Sequence, residues 1–397
     1  MKRSTLLACL VLVLVMLGAC GPQPAPPTAA PTPSPTRPAP ATATPPPAPT
    51  PTPFSLPTAA PTVPPSPSPA AATPVSAPAG PLPRLLNRVD LSLPAGNAYE
   101  PHHLALDPER GLAYALAADC PGAPYGCIAQ VNLEAGALQR VVPLPGTSYS
   151  PIAAAGRFVF VTYTDEDAQA HLMSLDVEDN RRVVDLVVGD PAPEILGLDG
   201  ASGRLFVRRG SDLEVRNTLD LRVVAQARLP SDGWQMAFQM DPVAGRAYVA
   251  TKGAVYGLQA GSLDILWTFQ EGAWGQFTGL VLGAGGTHLY VEAEHGVLAL
   301  DPLSGALLAE VPWQAEGQAP WRWSLVAADA AGDWLCLHQK DGARSWLEVV
   351  QASTGERRAS LPLWGGEEAF AYDPQAGRLV ALRRERHEIG VFRVGAE

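Results

Sequence analysis

A unit of 41–47 residues recurs seven times after residue 84, and this repeat constrains the fold more than any other sequence feature. Each copy has a short apolar run, a turn that most copies begin with Asp, a Gly that ends the turn, and another apolar run. The spacings between successive turn glycines are 45, 47, 42, 41, 46 and 45 residues, for Gly111, Gly156, Gly203, Gly245, Gly286, Gly332 and Gly377. Asp caps such turns and Gly supplies their positive φ, so each unit predicts β-hairpins.

A second hairpin completes each unit, most clearly around Asp301–Gly305 and Gln351–Gly355. Four strands in such a unit are typical of a β-propeller blade, so the sequence predicts an all-β, seven-bladed propeller. The seventh unit ends at Val394 after only three strands. We expect the N-terminal strand 85–93 to supply the fourth, which would close the ring and remove its open edges.

The repeats resemble those of known propellers of the WD40-like superfamily. Val183–Gly189, followed by Pro193–Asp199 and Gly203–Val207, is similar to the YVTN-type repeat. Ala299–Gly305 and Leu263–Trp267 are similar to the repeat of quinoprotein-like propellers. The resemblance covers residues 85–397 and implies a blade structure, but fold-level likeness does not transfer chemistry.

The first twenty residues predict a secretion signal. Lys2 and Arg3 precede an uncharged apolar run, Leu6–Leu17, that is shorter than the roughly 20 residues needed to span a bilayer. The following Leu-Gly-Ala-Cys sequence resembles the lipobox of bacterial lipoproteins, which implies cleavage after residue 19 and lipidation of Cys20. The alternative is an ordinary secretory signal with an incidental Cys. Cys9 would be lost with the signal in either case.

Residues 20–83 predict a disordered linker between the anchor and the propeller. Residues 21–83 hold 25 of the chain's 42 prolines and no Asp or Glu, with few large apolar side chains to bury. The linker is either a spacer that lifts the domain off the membrane or a tether of arbitrary length. Residues 84–397 carry 25 basic and 39 acidic residues, a net charge of −14, which disfavours nucleic-acid binding.

Recognisable catalytic motifs are absent from the sequence. It contains no nucleophile elbow, zinc-protease motif, phosphate-binding loop or dinucleotide fingerprint. The quinone-dependent enzymes among quinoprotein-like propellers usually have eight blades, and many have adjacent cysteines beside the cofactor. This chain has seven predicted blades and no adjacent cysteines, so we expect no cofactor. Asp165–Asp167 could offer oxygens to calcium, although three consecutive carboxylates are more typical of a solvated turn.

Three cysteines belong to the propeller. Cys120 and Cys127 lie between the second and third strands of the first unit, and outside the cytoplasm they predict a disulfide. A zinc site is the weaker interpretation because no His accompanies them. Cys336 lies in an alternating strand and is predicted to be a buried thiol.

Tryptophans concentrate in or beside the loops that join one unit to the next. Six of the nine tryptophans occur there: Trp234, Trp274, Trp313, Trp321, Trp323 and Trp364. With Arg322 they could form an aromatic platform for a protein, peptide or glycan, because exposed Trp and Arg mark interaction surfaces. The alternative is that the rings wedge between blades.

Polar residues just before the inner strands predict a ring around the channel mouth on the same face. They are His102, His103, Glu194, Gln235, Gln276, Arg322, Glu367 and Glu368. A His/Glu cluster could hold a metal or transfer protons, but propellers commonly fill this mouth with polar groups and water. We therefore interpret the site as a ligand surface and assign no catalytic residue and no metal.

Together these features predict a lipid-anchored extracytoplasmic propeller that binds a protein, peptide or glycan on its loop side, with the membrane contacted through its N-terminal lipid. The alternative is a propeller enzyme, either a quinoprotein-like oxidoreductase or a lyase or hydrolase of polymers. A purely structural part of an envelope complex is a third interpretation.

Overall fold

A computed structural model gives the structure of the protein, and it describes the propeller region with short gaps. The described residues are 83–91, 101–118, 120, 122–230, 237–270, 272–312, 323–329, 333–341, 344–363, 367–374, 376–383 and 387–394. For Pro101, His102, Ala284, Pro312, Glu367 and Glu368 only the backbone is described. The predicted signal, Cys20 and the linker to residue 82 lie outside the described residues.

The described residues form 28 strands in seven four-stranded antiparallel sheets, which confirms the predicted all-β propeller. Blade 1 contains β2 (Pro101–Asp107), β3 (Leu112–Ala117), β4 (Cys127–Asn132) and β5 (Ala137–Pro143). Blade 2 contains β6 (Ala153–Ala155), β7 (Phe158–Thr164), β8 (Ala170–Asp176) and β9 (Arg181–Val187). Blade 3 contains β10 (Glu194–Asp199), β11 (Arg204–Arg209), β12 (Asp212–Asn217) and β13 (Val223–Arg228).

The remaining strands follow the same order along the chain. Blade 4 contains β14 (Ala237–Asp241), β15 (Arg246–Ala250), β16 (Val255–Gln259) and β17 (Ile265–Phe269). Blade 5 contains β18 (Phe277–Leu282), β19 (Leu289–Ala293), β20 (Gly296–Leu300) and β21 (Leu307–Pro312). Blade 6 contains β22 (Trp323–Asp329), β23 (Trp334–Asp341), β24 (Arg344–Gln351) and β25 (Arg357–Pro362). Blade 7 contains β26 (Glu367–Asp373), β27 (Arg378–Arg383), β28 (Glu388–Arg393) and the N-terminal β1 (Arg84–Asp90).

Strand β1 closes the ring as predicted. It pairs antiparallel with β28, from Arg84 opposite Arg393 to Asp90 opposite Glu388. The backbone N–H of Leu91 also donates to the carbonyl of His387 at 2.7 Å. The first and last strands of the propeller therefore share one sheet, and the predicted closing segment 85–93 is confirmed as a strand that spans residues 84–90.

The turns between the first and second strands use Asp and Gly as the repeat predicted. Asp199 Oδ1 accepts the N–H of Ser202 at 3.1 Å, and Asp373 Oδ1 accepts that of Ala376 at 3.1 Å. Gly203 and Gly377 follow with φ of 65° and 59°. These turns lie at one end of each sheet, together with the turns between third and fourth strands in blades 1 to 6, and we call this end the turn face. The opposite end, where blades connect and second strands join third strands, is the loop face.

The core is divided among the interfaces between neighbouring blades. Seven clusters of buried apolar residues each draw on two adjacent sheets, including blades 7 and 1 on either side of the closure. Burial of this surface is the main stabilising contribution to such a fold. Helical structure in the described part of the chain is confined to three short 3-10 turns, and none of its helices has the length and hydropathy to cross a bilayer.

Every outer strand carries a β-bulge at its second or third residue. In each blade one residue of the outer strand has no partner across the register. The bulged residues, from blade 1 to blade 7, are Gln139, Val183, Val224, Leu266, Leu308, Arg358 and Leu86. A bulge bends an edge strand and interrupts its ladder, so it discourages pairing between the edges of different molecules.

Candidate functional site

A cavity of about 330 Å³ opens on the loop face where blades 1, 2 and 3 meet. Its walls come from the start of β2, from the connections between these blades, and from the loop-face end of β11. The lining residues are His103, Tyr149, Ser150, Pro151, Pro191, Ala192, Glu194, Arg208 and Gly210. His103 and Glu194, which the sequence places 91 positions apart in a predicted ring, thus line one cavity. A cavity of this volume falls in the range that holds a small ligand or one unit of a polymer.

Two polar contacts fix the side chains of this cavity. The Nε2 atom of His103 lies 2.8 Å from the backbone carbonyl oxygen of Tyr149, so Nε2 carries the hydrogen and donates it. Glu194 and Arg208 face each other across β10 and β11 and form an ion pair. The pair makes the polar part of the cavity electrically neutral, and its partly exposed atoms can bind hydroxyl or amide groups of a ligand.

Tyr149 and two prolines supply the apolar part of the same cavity. The tyrosine is 71% exposed and lies in the connection between β5 and β6. Pro151 follows it, while Pro191 comes from the next connection between blades. An exposed aromatic ring beside rigid apolar walls suits the flat face of a sugar ring or an extended peptide.

Four other predicted mouth residues lie in or directly before inner strands. His102 and Glu368 are the bulged residues of the inner strands of blades 1 and 7, which are neighbours in the ring. Glu367 is opposite Arg383 in the register of blade 7. Gln276 is exposed before β18.

The two predicted tryptophans within the described residues pack against the interiors of blade interfaces. Trp274 ends a short 3-10 turn before β18 and contacts the core between blades 4 and 5. Trp323 begins β22 and contacts the core between blades 5 and 6. Both are half-buried, as expected for rings that wedge between blades. Five other predicted residues lie outside the described residues, namely Trp234, Trp313, Trp321, Arg322 and Trp364, and so does Gln235.

The predicted disulfide is confirmed, and its loop contacts the next blade. Cys120 and Cys127 are bonded with a Cα–Cα distance of 5.9 Å. Tyr125 of the enclosed loop donates its hydroxyl to Glu166 in the loop between β7 and β8. The disulfide loop and Asp165–Asp167 therefore lie together on the loop face, as the sequence predicted.

Asp165 organises its own loop. Its Oδ1 accepts the N–H groups of Asp167 at 3.0 Å and Gln169 at 2.8 Å. These bonds, the Gln169 contact first, hold the pKa of the Asp165 carboxyl below its usual value. Its Oδ2 lies 3.0 Å from Nε2 of His171. Among the described residues, no group of three or more His, Cys, Asp or Glu side chains could hold a metal.

His171 joins this loop to the outer strand of blade 2. Its Nδ1 lies 2.9 Å from Oδ1 of Asp185, whose Oδ2 accepts the hydroxyl of Tyr163 at 2.7 Å. Partial burial opposes protonation of His171, but its bonds to Asp165 and Asp185 outweigh burial and raise its pKa. The bonds from His171 to the two carboxylates therefore hold strand β9 to β8 most strongly below its raised pKa, where the ring is protonated.

Sequence reasoning missed Arg208, Tyr149 and Glu292. Arg208 is opposite Glu194, a cross-strand pairing that the acidic first residue of β10 and the arginines at the end of β11 could have suggested. The Glu292 carboxylate accepts two hydrogen bonds, one from the hydroxyl of Thr278 in blade 5 at 2.7 Å and one from the backbone N–H of Leu325 in blade 6 at 2.7 Å. Burial raises the pKa of the Glu292 carboxyl despite these two bonds. It braces two blades near the loop face, and nothing in its local sequence marks it.

The buried thiol is confirmed as well. Cys336 is fully buried in β23, and burial raises its pKa to about 12. A thiol with that pKa stays protonated at physiological pH and reacts slowly, so it contributes as a small apolar side chain.

Comparison with known proteins supports this architecture. The family model described as outer membrane protein assembly factor BamB matches residues 251–386, about a third of the chain. No curated protein sequence matches the chain. The β-propeller domain of Cps50 (Swd1) from Myceliophteria thermophila is similar in structure, with a TM-score of 0.57. It is 13% identical, and the alignment covers 79% of this chain and 99% of that domain, so the likeness concerns the fold alone.

The partial family match lies in blades 4 to 7, where the quinoprotein-like repeats were found in the sequence. The disulfide is the form expected of a protein that matures outside the cytoplasm. The chain is therefore a seven-bladed, disulfide-bonded β-propeller with quinoprotein-like repeats.

Proposed function

We propose that the protein is a lipid-anchored extracytoplasmic binding module whose loop face captures a peptide, protein or glycan. The observation that supports the site is the cavity in which His103, Glu194 and Arg208 meet beside exposed Tyr149. Its neutral polar floor and apolar walls suit recognition through hydrogen bonds and stacking. Nε2 of His103 is committed to a carbonyl and Glu194 is paired with Arg208, so in this proposal the remaining polar atoms of these side chains hold the ligand.

The N-terminal sequence supports the anchor. Leu-Gly-Ala-Cys matches the lipobox at all four positions, and Cys20 would carry the lipid. Two or more acyl chains give stable membrane attachment. In the ring, β1 begins at Arg84 on the turn face, because Arg84 pairs with the last residue of β28. The chain thus enters the ring from the side opposite to the cavity. The name of the matching family, an outer membrane protein assembly factor, supports a role in the cell envelope.

The ligand is tested by crosslinking in cells through a photoreactive residue at position 149, followed by recovery of the crosslinked species. Glu194→Gln together with Arg208→Gln should reduce the crosslinked yield at least about tenfold, the effect of about 1.4 kcal/mol. Arg344→Gln, an exposed change on the same face but outside the cavity, is the control. Equal crosslinking in all three proteins would place the ligand elsewhere.

The anchor has an independent test. Cys20→Ala should abolish incorporation of a labelled fatty acid and release the protein from membranes, while Cys9→Ser should change neither. Unaltered membrane attachment of the Cys20→Ala protein would contradict the anchor and leave the cavity proposal standing.

Metal analysis and a quinone absorbance scan on the purified protein address the enzyme alternative. Stoichiometric metal lost in His103→Ala would contradict the binding-module proposal.

A further inference from the structure

The rim of the propeller differs in charge from the rest of the domain. The seven outer strands contain eight arginines and three acidic residues, a net charge of +5. The remaining residues of 84–397 hold 17 basic and 36 acidic side chains, a net charge of −19. A basic rim on an acidic body attracts anionic surfaces specifically through the rim.

Apolar side chains are also exposed along this rim. Five of the seven bulged residues are aliphatic and are 41–56% exposed: Leu86, Val183, Val224, Leu266 and Leu308. Because the bulge interrupts the ladder, an added strand would pair poorly with these edges. An occupant of the rim therefore contacts side chains rather than backbone groups.

Basic and apolar residues coincide most fully on blades 2 and 3. We define the rim patch by eight residues. Blade 2 contributes Arg181, Arg182, Val183 and Val187 of β9, and blade 3 contributes Leu219 of the turn between β12 and β13 and Val223, Val224 and Arg228 of β13. All eight side chains are exposed. Blades 4 and 5 expose Leu266 and Leu308 at the same bulge, but their outer strands contain no arginine. The two sectors thus share geometry and differ in charge.

An apolar cavity of about 230 Å³ lies within the rim patch, between blades 2 and 3. Val183 and Leu219 belong to its lining, and Phe158, Phe160 and Leu198 extend the apolar wall inward. Such a cavity can accept the end of an aliphatic chain, because its lining loses contacts with water when the chain enters.

Several carboxylates near the rim patch are paired with arginines. Asp185 pairs with Arg182 of the patch at 3.4 Å, Glu178 pairs with Arg110 at 2.5 Å, and Asp179 shares Arg157 with Asp176. Arg181 and Arg228 add positive charge beyond these pairs. Positive charge beside exposed aliphatic groups is the combination that adsorbs proteins to anionic bilayers.

We infer that the rim patch docks on an anionic phospholipid surface, with arginines at the headgroups and the aliphatic side chains below them. The inference goes beyond the proposed function, because it requires neither the loop-face ligand nor the lipid on Cys20. It assigns the edge of blades 2 and 3, rather than the loop face, to the membrane.

The experiment compares two fluorescent probes in the full chain carrying Cys9→Ser and Cys20→Ala. An environment-sensitive label is attached at Val224→Cys or, as the matched control, at Leu266→Cys. Cys120 and Cys127 are bonded and Cys336 is a buried thiol, so only the introduced cysteine is labelled. Any binding through Leu6–Leu17 is common to both proteins. The vesicles contain phosphatidylcholine alone or with phosphatidylglycerol.

The Val224→Cys probe should shift to the blue with phosphatidylglycerol vesicles only, and salt at about 1 M should reverse the shift because it screens beyond about 3 Å. The Leu266→Cys probe should not respond. Arg181→Gln and Arg182→Gln should each raise the half-saturating lipid concentration about fivefold. An unchanged Val224→Cys probe, equal responses from both probes, or equal responses to both vesicle types would each overturn the inference.

Discussion

Blades 4 and 5 meet through a tryptophan, whereas blades 2 and 3 meet through a leucine that comes from the opposite side. Trp267 of the outer strand β17 is buried and donates Nε1–H to the carbonyl of Pro302 at 3.1 Å. It fits under the turn of blade 5 because Gly305 has no side chain, and a Cβ there would lie 2.5 Å from the indole. In blade 2 the matching outer-strand residue is Val184, and in blade 3 the matching turn residue is Leu221.

Leu221 is fully buried with a φ of 57°, a conformation that most side chains avoid. Leu263 occupies the same turn position in blade 4, is buried, and has a φ of 62°. At the interface that Leu263 fills, the outer strand β13 of blade 3 has Ala225 at the position that matches Trp267. At the interface of blades 4 and 5 the strand supplies the large side chain and the turn has Gly, whereas at the interface of blades 3 and 4 the turn supplies Leu263 and the strand has Ala225. At the interface of blades 2 and 3 the turn supplies Leu221 beside Val184 of the strand.

Trp267→Ala should have the largest effect on this pair of interfaces. Removing the buried indole leaves a cavity under a turn that already lacks a side chain, and we expect a loss of about 3–5 kcal/mol in the free energy of unfolding. Chemical denaturation measures it. Val184→Ala, at the matched position in blade 2, should cost clearly less. Equal losses would contradict the idea that the two strands contribute differently.

Leu221→Ala should destabilise the interface of blades 2 and 3 by about 2–4 kcal/mol. The side chain is fully buried against Phe160, Leu172 and Leu205. Leu221→Gly loses the same packing but relieves the left-handed strain of about 1 kcal/mol, so it should cost no more than Leu221→Ala. Calorimetry of both variants decides the point. A more stable Ala variant would contradict the assigned strain.

The effects of substitutions at Trp267 and Gly305 on the free energy of unfolding should not be additive, because the two positions share one space in the interface. Gly305→Leu alone clashes with the indole and should cost about 1–3 kcal/mol. The double variant with Trp267→Ala copies the Ala225 and Leu263 arrangement, so its loss should fall short of the sum by about 1 kcal/mol or more. A double-mutant cycle measures this coupling. Simple additivity would show that the two arrangements are not interchangeable.

Ala155→Val should stabilise the interface of blades 2 and 3 modestly. Ala155 lines the cavity of about 230 Å³ between these blades, and two added methyl groups would fill part of it. Cavity filling of this kind commonly adds about 0.5–2 kcal/mol, and we expect the lower end. Thermal unfolding is the measurement. Unchanged stability would mean that the cavity does not weaken this interface.

The smallest effect should be a pH dependence confined to blade 2. The raised pKa of His171 means that its bonds to Asp165 and Asp185 contribute stability below the unfolded pKa, and that this stability is lost as pH rises through the folded value. Hydrogen exchange at about pH 5.5 and about pH 8, corrected for intrinsic rates, should show Arg181–Val187 losing protection while Ile265–Phe269 does not. His171→Gln should remove the difference. Equal changes in both strands would contradict the local role.

The architecture followed from sequence because each blade repeats a local rule. Asp and Gly at fixed spacing determine the turns, and the three-strand seventh unit required the N-terminal strand. The outer-strand bulges were not foreseen, since a bulged strand such as Val223–Arg228 has the same composition as a regular one. The leucines at positive φ were missed for a related reason, because Leu221 and Leu263 stand where a turn normally requires Gly.

The candidate site was predictable only in part. His103 and Glu194 lie at or near the start of inner strands, and that position places both at the loop face. Their partners depend on register and on loop conformation, which bring Arg208 opposite Glu194 and the carbonyl of Tyr149 to His103. Local sequence does not specify such distant contacts. For Trp274 and Trp323 the structure shows packing between blades, which the spacing alone could not separate from an exposed platform.

The pairing of β1 with β28 has a consequence for the order of events during synthesis. Arg84 and Arg393 lie 309 positions apart, so this sheet cannot form until almost the whole chain has emerged. Joining such distant segments costs chain entropy before any contact rewards it, and long-range pairing slows folding. Blades 1 to 6 are each continuous in sequence and can form as the chain appears. A chain truncated before Glu388 would leave β1 without its partner, so closure of the ring must wait until β28 has been synthesised.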